Sequence, residues 1–178
     1  LFRSEKCDSF ETGGWDNAQK GVYGISDTFL HFWFTFVYPH QSQLMQMQPQ
    51  EFYDAYIAPG LDRYLERYFV KVCREYFALL EQAGELPIET KKDGTWIGKQ
   101  GRIDIILQND IRENVVAYCC WAEREMTMEH LAELDESMEL ARVKAKRRYL
   151  FSAGTFAEEL KEKAKNDETI VLVDMNSL

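Results

Sequence analysis

Residues 101–124, GRIDIILQNDIRENVVAYCCWAER, constrain the fold more than any other part of the chain. They read as two strands, Ile103–Leu107 and Val115–Trp121, joined by a short polar turn. Short, apolar, β-branched runs bounded by polar residues are what a sheet buries on both faces. The first run carries one acid, Asp104. A carboxylate in such a run costs several kcal/mol unless it is paired, hydrogen-bonded or holding a cation. Backbone amides, or an arginine such as Arg102 or Arg124, would satisfy it; so would a metal ion.

Helical patterns flank these strands. Leu61, Tyr64, Leu65, Tyr68, Phe69, Val72, Tyr76 and Leu80 recur at three- and four-residue steps and predict a helix over 61–83 with Gly84 as its left-handed stop. Met128, Leu131, Leu134, Met138 and Ala141 predict a second helix, whose far end is expected to be basic through Arg142, Lys144, Lys146, Arg147 and Arg148. A strand at Tyr149–Phe151, a helix at Thr155–Lys165 and a strand at Ile170–Val173 follow. Alternating helices and strands imply parallel pairing through crossovers, hence an α/β domain with helices packed on its sheet.

Before that domain, Leu1–Tyr23 is polar and glycine-rich and reads as a loop or hairpin. Ser26 or Asp27 then caps an aromatic helix, TFLHFWFTFVY, that Pro39 should end. Being apolar nearly all round, this helix is expected to be covered on most sides. The stretch Gln41–Gln50 mixes glutamine with methionine and reads as a linker. The boundary is placed there, with residues 1–48 as one unit and 49–178 as the main domain. The first residue is leucine, and the chain reads as a fragment of a longer polypeptide.

A formal charge of −9 weighs against generalised phosphate binding, although a local basic patch remains compatible with an acidic body. Cys7, Cys73, Cys119 and Cys120 contain no C-x-x-C pair, and the adjacent two point to opposite faces of a strand. They read as free thiols in a reducing cytoplasm. His31 reads as a packed structural residue, and His40 and His130 have no partner at metal spacing. The apolar run Phe29–Tyr38 is far shorter than the about 20 residues a membrane span needs. No phosphate-binding G-x-x-x-x-G-K-[ST] loop is present, so this fragment carries no nucleotide-hydrolysing motif of its own.

Several separated blocks, in order, resemble a known arrangement. YGISDTFLHFWFTFVYP (23–39) is similar to the segment that follows the winged-helix domain in a group of archaeal and bacterial AAA+ ATPases. YLERYFVKVCREYF (64–77), TWIGKQGRIDIIL (95–107), AYCCW (117–121) and RYLFSAGTF (148–156) resemble their C-terminal domain of unknown function. That domain is assigned to the PD-(D/E)XK, restriction-endonuclease-like superfamily. The resemblance implies a central mixed sheet flanked by helices, preceded by a winged-helix remnant. It also implies that ATP is handled by a preceding domain, and that DNA or the rest of the ATPase polypeptide is the partner.

Active members of the superfamily hold Mg²⁺ with an Asp on one strand and a Glu on the next, and a Lys two residues after that Glu positions water. The metal polarises the phosphodiester and lowers the pKa of its water. By this resemblance Asp104 is the remnant Asp, while Tyr118 stands at the Glu position and Cys120 at the Lys position. A further Glu on the first helix falls on Val70. A phenol is a poor Mg²⁺ ligand, and a thiol of pKa about 8.5 cannot replace an ammonium. The expectation is a catalytically degenerate module with no metal and no hydrolysis, binding DNA or regulating a partner. The five basic residues of 142–148 are its candidate DNA contacts, with Trp96 and Trp121 available to stack, though packing at the core edge accounts for both. Two other readings stay open: a Mg²⁺-dependent nuclease rebuilt around Asp104 from Glu123, Glu125 or Lys99, and an architectural module that forms homo-oligomers.

Overall fold

The computed structural model describes Ile25 and residues 27–178; the expectations for Leu1–Tyr23, the Ser26 cap and Cys7 fall outside them. Six α-helices and seven strands are described: α1 (Thr28–Phe32), α2 (Gln41–Leu44), α3 (Pro49–Phe52), α4 (Ala58–Ala83), β1 (Lys92–Ile97), β2 (Arg102–Gln108), β3 (Asn114–Cys120), β4 (Glu125–Met126), α5 (Met128–Ala141), β5 (Ala145–Ser152), β6 (Thr155–Phe156), α6 (Glu158–Asn166) and β7 (Ile170–Asp174).

Five strands form one sheet in the order β1-β2-β3-β5-β7. The meander β1-β2-β3 is antiparallel, whereas β3-β5 and β5-β7 are parallel. The division follows connection length: short turns return the chain antiparallel, and helices α5 and α6 carry it back for parallel pairing. β4 and β6 pair separately.

Alternation along the central strands builds two cores. Val115, Ala117 and Cys119 of β3, with Tyr149 and Phe151 of β5, pack under Phe69, Cys73 and Phe77 of α4. Val116 and Cys120, with Leu150, pack under Leu131 and Leu134 of α5 and Leu160 of α6. The domain is therefore a mixed sheet with α4 on one face and α5 and α6 on the other. Cys119 and Cys120 do lie on opposite faces, and the three described cysteines are free thiols.

Several local expectations are corrected. The aromatic helix is α-helical only over Thr28–Phe32, runs on as a π-helical turn over Trp33–Val37 and closes in a 3₁₀ turn over Tyr38–His40 that holds Pro39. The break comes at His40 (φ −121°, ψ 25°), one residue past the proline expected to end it, and α2 starts after it. The Gln/Met stretch is largely helical rather than extended linker, with Gln48 and Glu51 forming a capping box at α3. Among the described residues the aromatic segment is covered on one side: Phe36 and Val37 are buried, while Phe29, Phe34 and Tyr38 are exposed. Asp27 is its cap, accepting from Leu30 N at 2.8 Å. The buried line of α4 is Phe69–Cys73–Phe77, and Val72 faces solvent. β1 is an edge strand where only a polar segment was expected. Three of the basic residues, Lys146, Arg147 and Arg148, lie in β5 rather than at the end of α5, which closes at Arg142 with φ 54°.

Candidate functional site

Asp104 sits at an irregularity that its sequence does not reveal. Gly94 of β1 faces Ile106 and Trp96 faces Ile103, so Asp104 and Ile105 together stand opposite Thr95. This is a β-bulge, which bends the strand and re-aims side chains. The β2–β3 ladder is regular only between residues 105–108 and 114–117. Beyond it the Asp104 carboxylate takes over, Oδ2 accepting the Cys119 N–H at 2.9 Å. The carbonyl of Asp104 is satisfied separately, by Thr95 Oγ1 at 2.8 Å and by Arg74 Nη2 of α4 at 3.2 Å.

The other carboxylate oxygen, Oδ1, lies 3.1 Å from Arg102 Nε. The same guanidinium donates through Nη2 to Glu66 Oε1 of α4 at 2.7 Å. A fixed cation thus stands between two carboxylates, one from the sheet and one from the helix. Burial pushes the Asp104 carboxyl above its ordinary range, and the Arg102 charge and the Cys119 N–H pull against it. Arg102 is held more firmly protonated by the same two acids despite its own partial burial. The carboxylate has the larger burial, so burial prevails there while the pairing prevails at the arginine.

The positions expected beside Asp104 are neutral. The Tyr118 hydroxyl donates to Glu133 Oε2 of α5 at 3.2 Å, and burial followed by that carboxylate raises its pKa. Cys120 is buried, which pushes its thiol up, while the backbone N–H groups of Glu123 and Ala122 point to its sulfur and favour the thiolate. Val70 packs against the α4-side core. Glu66, one helical turn before Val70 and hence on the same side of α4, is the carboxylate that reaches the site. The signal was present as a four-residue offset, but only the packing of α4 on the sheet decides which turn arrives. Lys99 and Glu125 are exposed and make no bond to Asp104 among the described residues.

Beside Tyr118, on the α5 side, lies a cleft of about 490 Å³ lined by Arg102, Tyr118, Glu133, Glu136 and Ser137. Arg102 is already balanced by Asp104 and Glu66, so the free charge facing this cleft is negative. The basic residues of 142–148 are dispersed. Lys146 pairs with Glu113 at 2.6 Å, and Arg148 with Asp135 and Asp167, each at 2.9 Å. Trp121 is half-buried, meeting the Phe69 ring edge-on and donating to Asp62 at 3.3 Å, and Trp96 packs on the α5-side core.

One expectation about metal spacing fails. His130 does have neighbours of that kind: donor atoms of Cys120, Glu123 and His130 all lie within 4.8 Å of one another. Residues far apart in spacing meet because the chain leaves β3 and doubles back into the first turn of α5.

Residues 33–138, more than half of the chain, match the family of archaeal and bacterial proteins of unknown function known as DUF234. An uncharacterized protein of Methanocaldococcus jannaschii is 31% identical over 93 residues, which are 52% of this chain and 20% of that protein. The match therefore spans about a fifth of that relative's length. No solved structure matches the chain significantly. No described helix is long and apolar enough to cross a membrane. On the extent of the profile match, the chain belongs to the DUF234 family.

Proposed function

We propose that this domain is a catalytically degenerate, restriction-endonuclease-like module that binds and regulates a protein partner within an AAA+ ATPase. The observation that carries the reading is the Arg102 guanidinium, 3.1 Å from Asp104 and 2.7 Å from Glu66. Mg²⁺ binds through carboxylate oxygens and retained waters. Here the two nearest carboxylates are neutralised by a tethered cation that carries no water to activate. The next strand offers a phenol and a thiol where hydrolysis needs a carboxylate and an ammonium.

Neighbouring antiparallel strands carrying Asp104 and Tyr118, in a mixed sheet flanked by helices, support the superfamily resemblance. The short share of the relative that is matched leaves room for an ATPase portion elsewhere in such a protein. A protein partner is favoured over DNA because the cleft beside Tyr118 is acidic and because Lys146 and Arg148 are already bound to carboxylates.

Incubation with supercoiled plasmid and Mg²⁺ or Mn²⁺ tests the reading, with no nicking expected. Cleavage that disappears in Asp104→Ala would establish a rebuilt nuclease instead. Salt-dependent retention on DNA, lost on reversing Arg142, Lys144 and Arg147, would replace the protein partner with nucleic acid.

A further inference from the structure

We propose that Cys120, Glu123 and His130 form a binding site for a thiophilic divalent ion of the zinc class at the exit of β3. Cys120 is also the thiol at the expected Lys position, but the inference does not rest on the degenerate-nuclease reading, since it needs none of Asp104, Glu66 and Arg102 and its test reads metal binding rather than hydrolysis. Three unlike donors, a sulfur, a carboxylate oxygen and an imidazole nitrogen, converge to within 4.8 Å of one another. Tetrahedral zinc with bonds of about 2.0–2.3 Å requires donors somewhat closer than that. The adjustment falls to Glu123, whose side chain is 58% exposed and free to move, while Cys120 and His130 are fixed by burial.

The donor types decide which ion fits. Burial raises the Cys120 thiol pKa, and only the backbone N–H groups of Glu123 and Ala122 pull against it, so the thiolate has to be drawn out by the ion itself. Thiolate is the form that binds metal, so binding is coupled to loss of the thiol proton and strengthens with rising pH. Sulfur and imidazole select zinc, cobalt or a similar ion over Mg²⁺ and Ca²⁺, which take oxygen. Three protein donors leave a fourth position for water or a partner's side chain.

Without an ion, His130 Nδ1 accepts the Thr127 N–H at 3.0 Å, so the ring proton sits on Nε2 and is donated to Glu123 Oε2 at 2.9 Å. The ion takes the Nε2 lone pair, and the ring proton passes to Nδ1, where Thr127 Oγ1 at 3.2 Å accepts it. The thiol proton leaves to solvent, so one proton is released per ion bound. The exchange costs α5 one backbone cap bond and gains three metal bonds. Occupied, the site clasps the end of β3 to the first turn of α5.

Cobalt(II) titration of the full chain, followed by absorption, tests this directly. Expected are a thiolate-to-cobalt charge-transfer band saturating at one equivalent, its displacement by Zn²⁺, and no displacement by excess Mg²⁺. The band should vanish in Cys120→Ser and persist in Cys7→Ser. Because Glu123 is exposed, Glu123→Gln should fold normally and bind about tenfold or more weakly. A natively folded protein that gives no band, or a band that survives Cys120→Ser, overturns the proposal. Unchanged affinity in a folded Glu123→Gln variant overturns the three-donor set.

Discussion

Asparagine and alanine at position 104 should behave differently, because the side chain there supplies an acceptor as well as a charge. Asp104 Oδ2 receives the buried Cys119 N–H. Asparagine keeps an acceptor and leaves Arg102 its bond to Glu66. Asp104→Asn should therefore lie within about 1 kcal/mol of wild type in urea unfolding, whereas Asp104→Ala strands the amide and should cost about 1–3 kcal/mol. The pH dependence has a definite sign. Burial raises the folded-state pKa, so between the ordinary carboxylate value and that raised value the folded state holds a proton that the unfolded chain has released. The contribution of Asp104 is full at low pH and is lost as pH climbs through the folded pKa. Asp104→Asn should consequently gain on wild type as pH rises from about 4, read from urea midpoints across the series.

Among the elements, α4 shows how a correct periodicity can still misplace a face. The three- and four-residue recurrence finds the helix and its stop, but the buried line is Phe69, Cys73 and Phe77 while Val72 is exposed. A broad aromatic stripe is compatible with several rotations, and the sheet beneath chooses one. Phe77→Ala should cost about 3–5 kcal/mol in thermal or chemical unfolding, and Val72→Ala less than about 1. Gly84 closes the helix at φ 72° with nothing within 4 Å of an added Cβ. Gly84→Ala should thus lower stability by about 1 kcal/mol through backbone strain alone.

Across the whole molecule, the ion pairs of the basic segment hold layers together. Arg148 of β5 reaches Asp135 of α5 and Asp167, in the turn between α6 and β7. With its side chain only 19% exposed, Arg148→Glu should set three acids together and cost about 1–3 kcal/mol. Arg147, half-buried in β5, is paired with no acid among the described residues, so Arg147→Glu should cost less than Arg148→Glu, about 1 kcal/mol or below. Charge reversals meant to probe DNA therefore belong at Arg142, Lys144 and Arg147, where loss of retention is not confounded by loss of fold.

Much of the frame is legible in one dimension. Apolar runs mark β2, β3 and β7, and spacing marks α4 and α5, because burial on one or two faces writes its period directly into the chain. β1 escapes this because KDGTWI fully buries only Gly94, whereas β7, the other edge, places Ile170 and Val173 in the core, so the polar residues and glycine of β1 carry no such period. The anomaly of Asp104 is equally plain in sequence, since an acid in an apolar strand must have a partner. Which partner it has was decided in three dimensions. A bulge depends on how two strands fail to match, Glu66 arrives from the turn of α4 that packs beside Arg102, and His130 reaches Cys120 through a turn that no spacing rule describes. Local patterning fixes what must be buried; only the packed arrangement fixes which polar groups meet once it is.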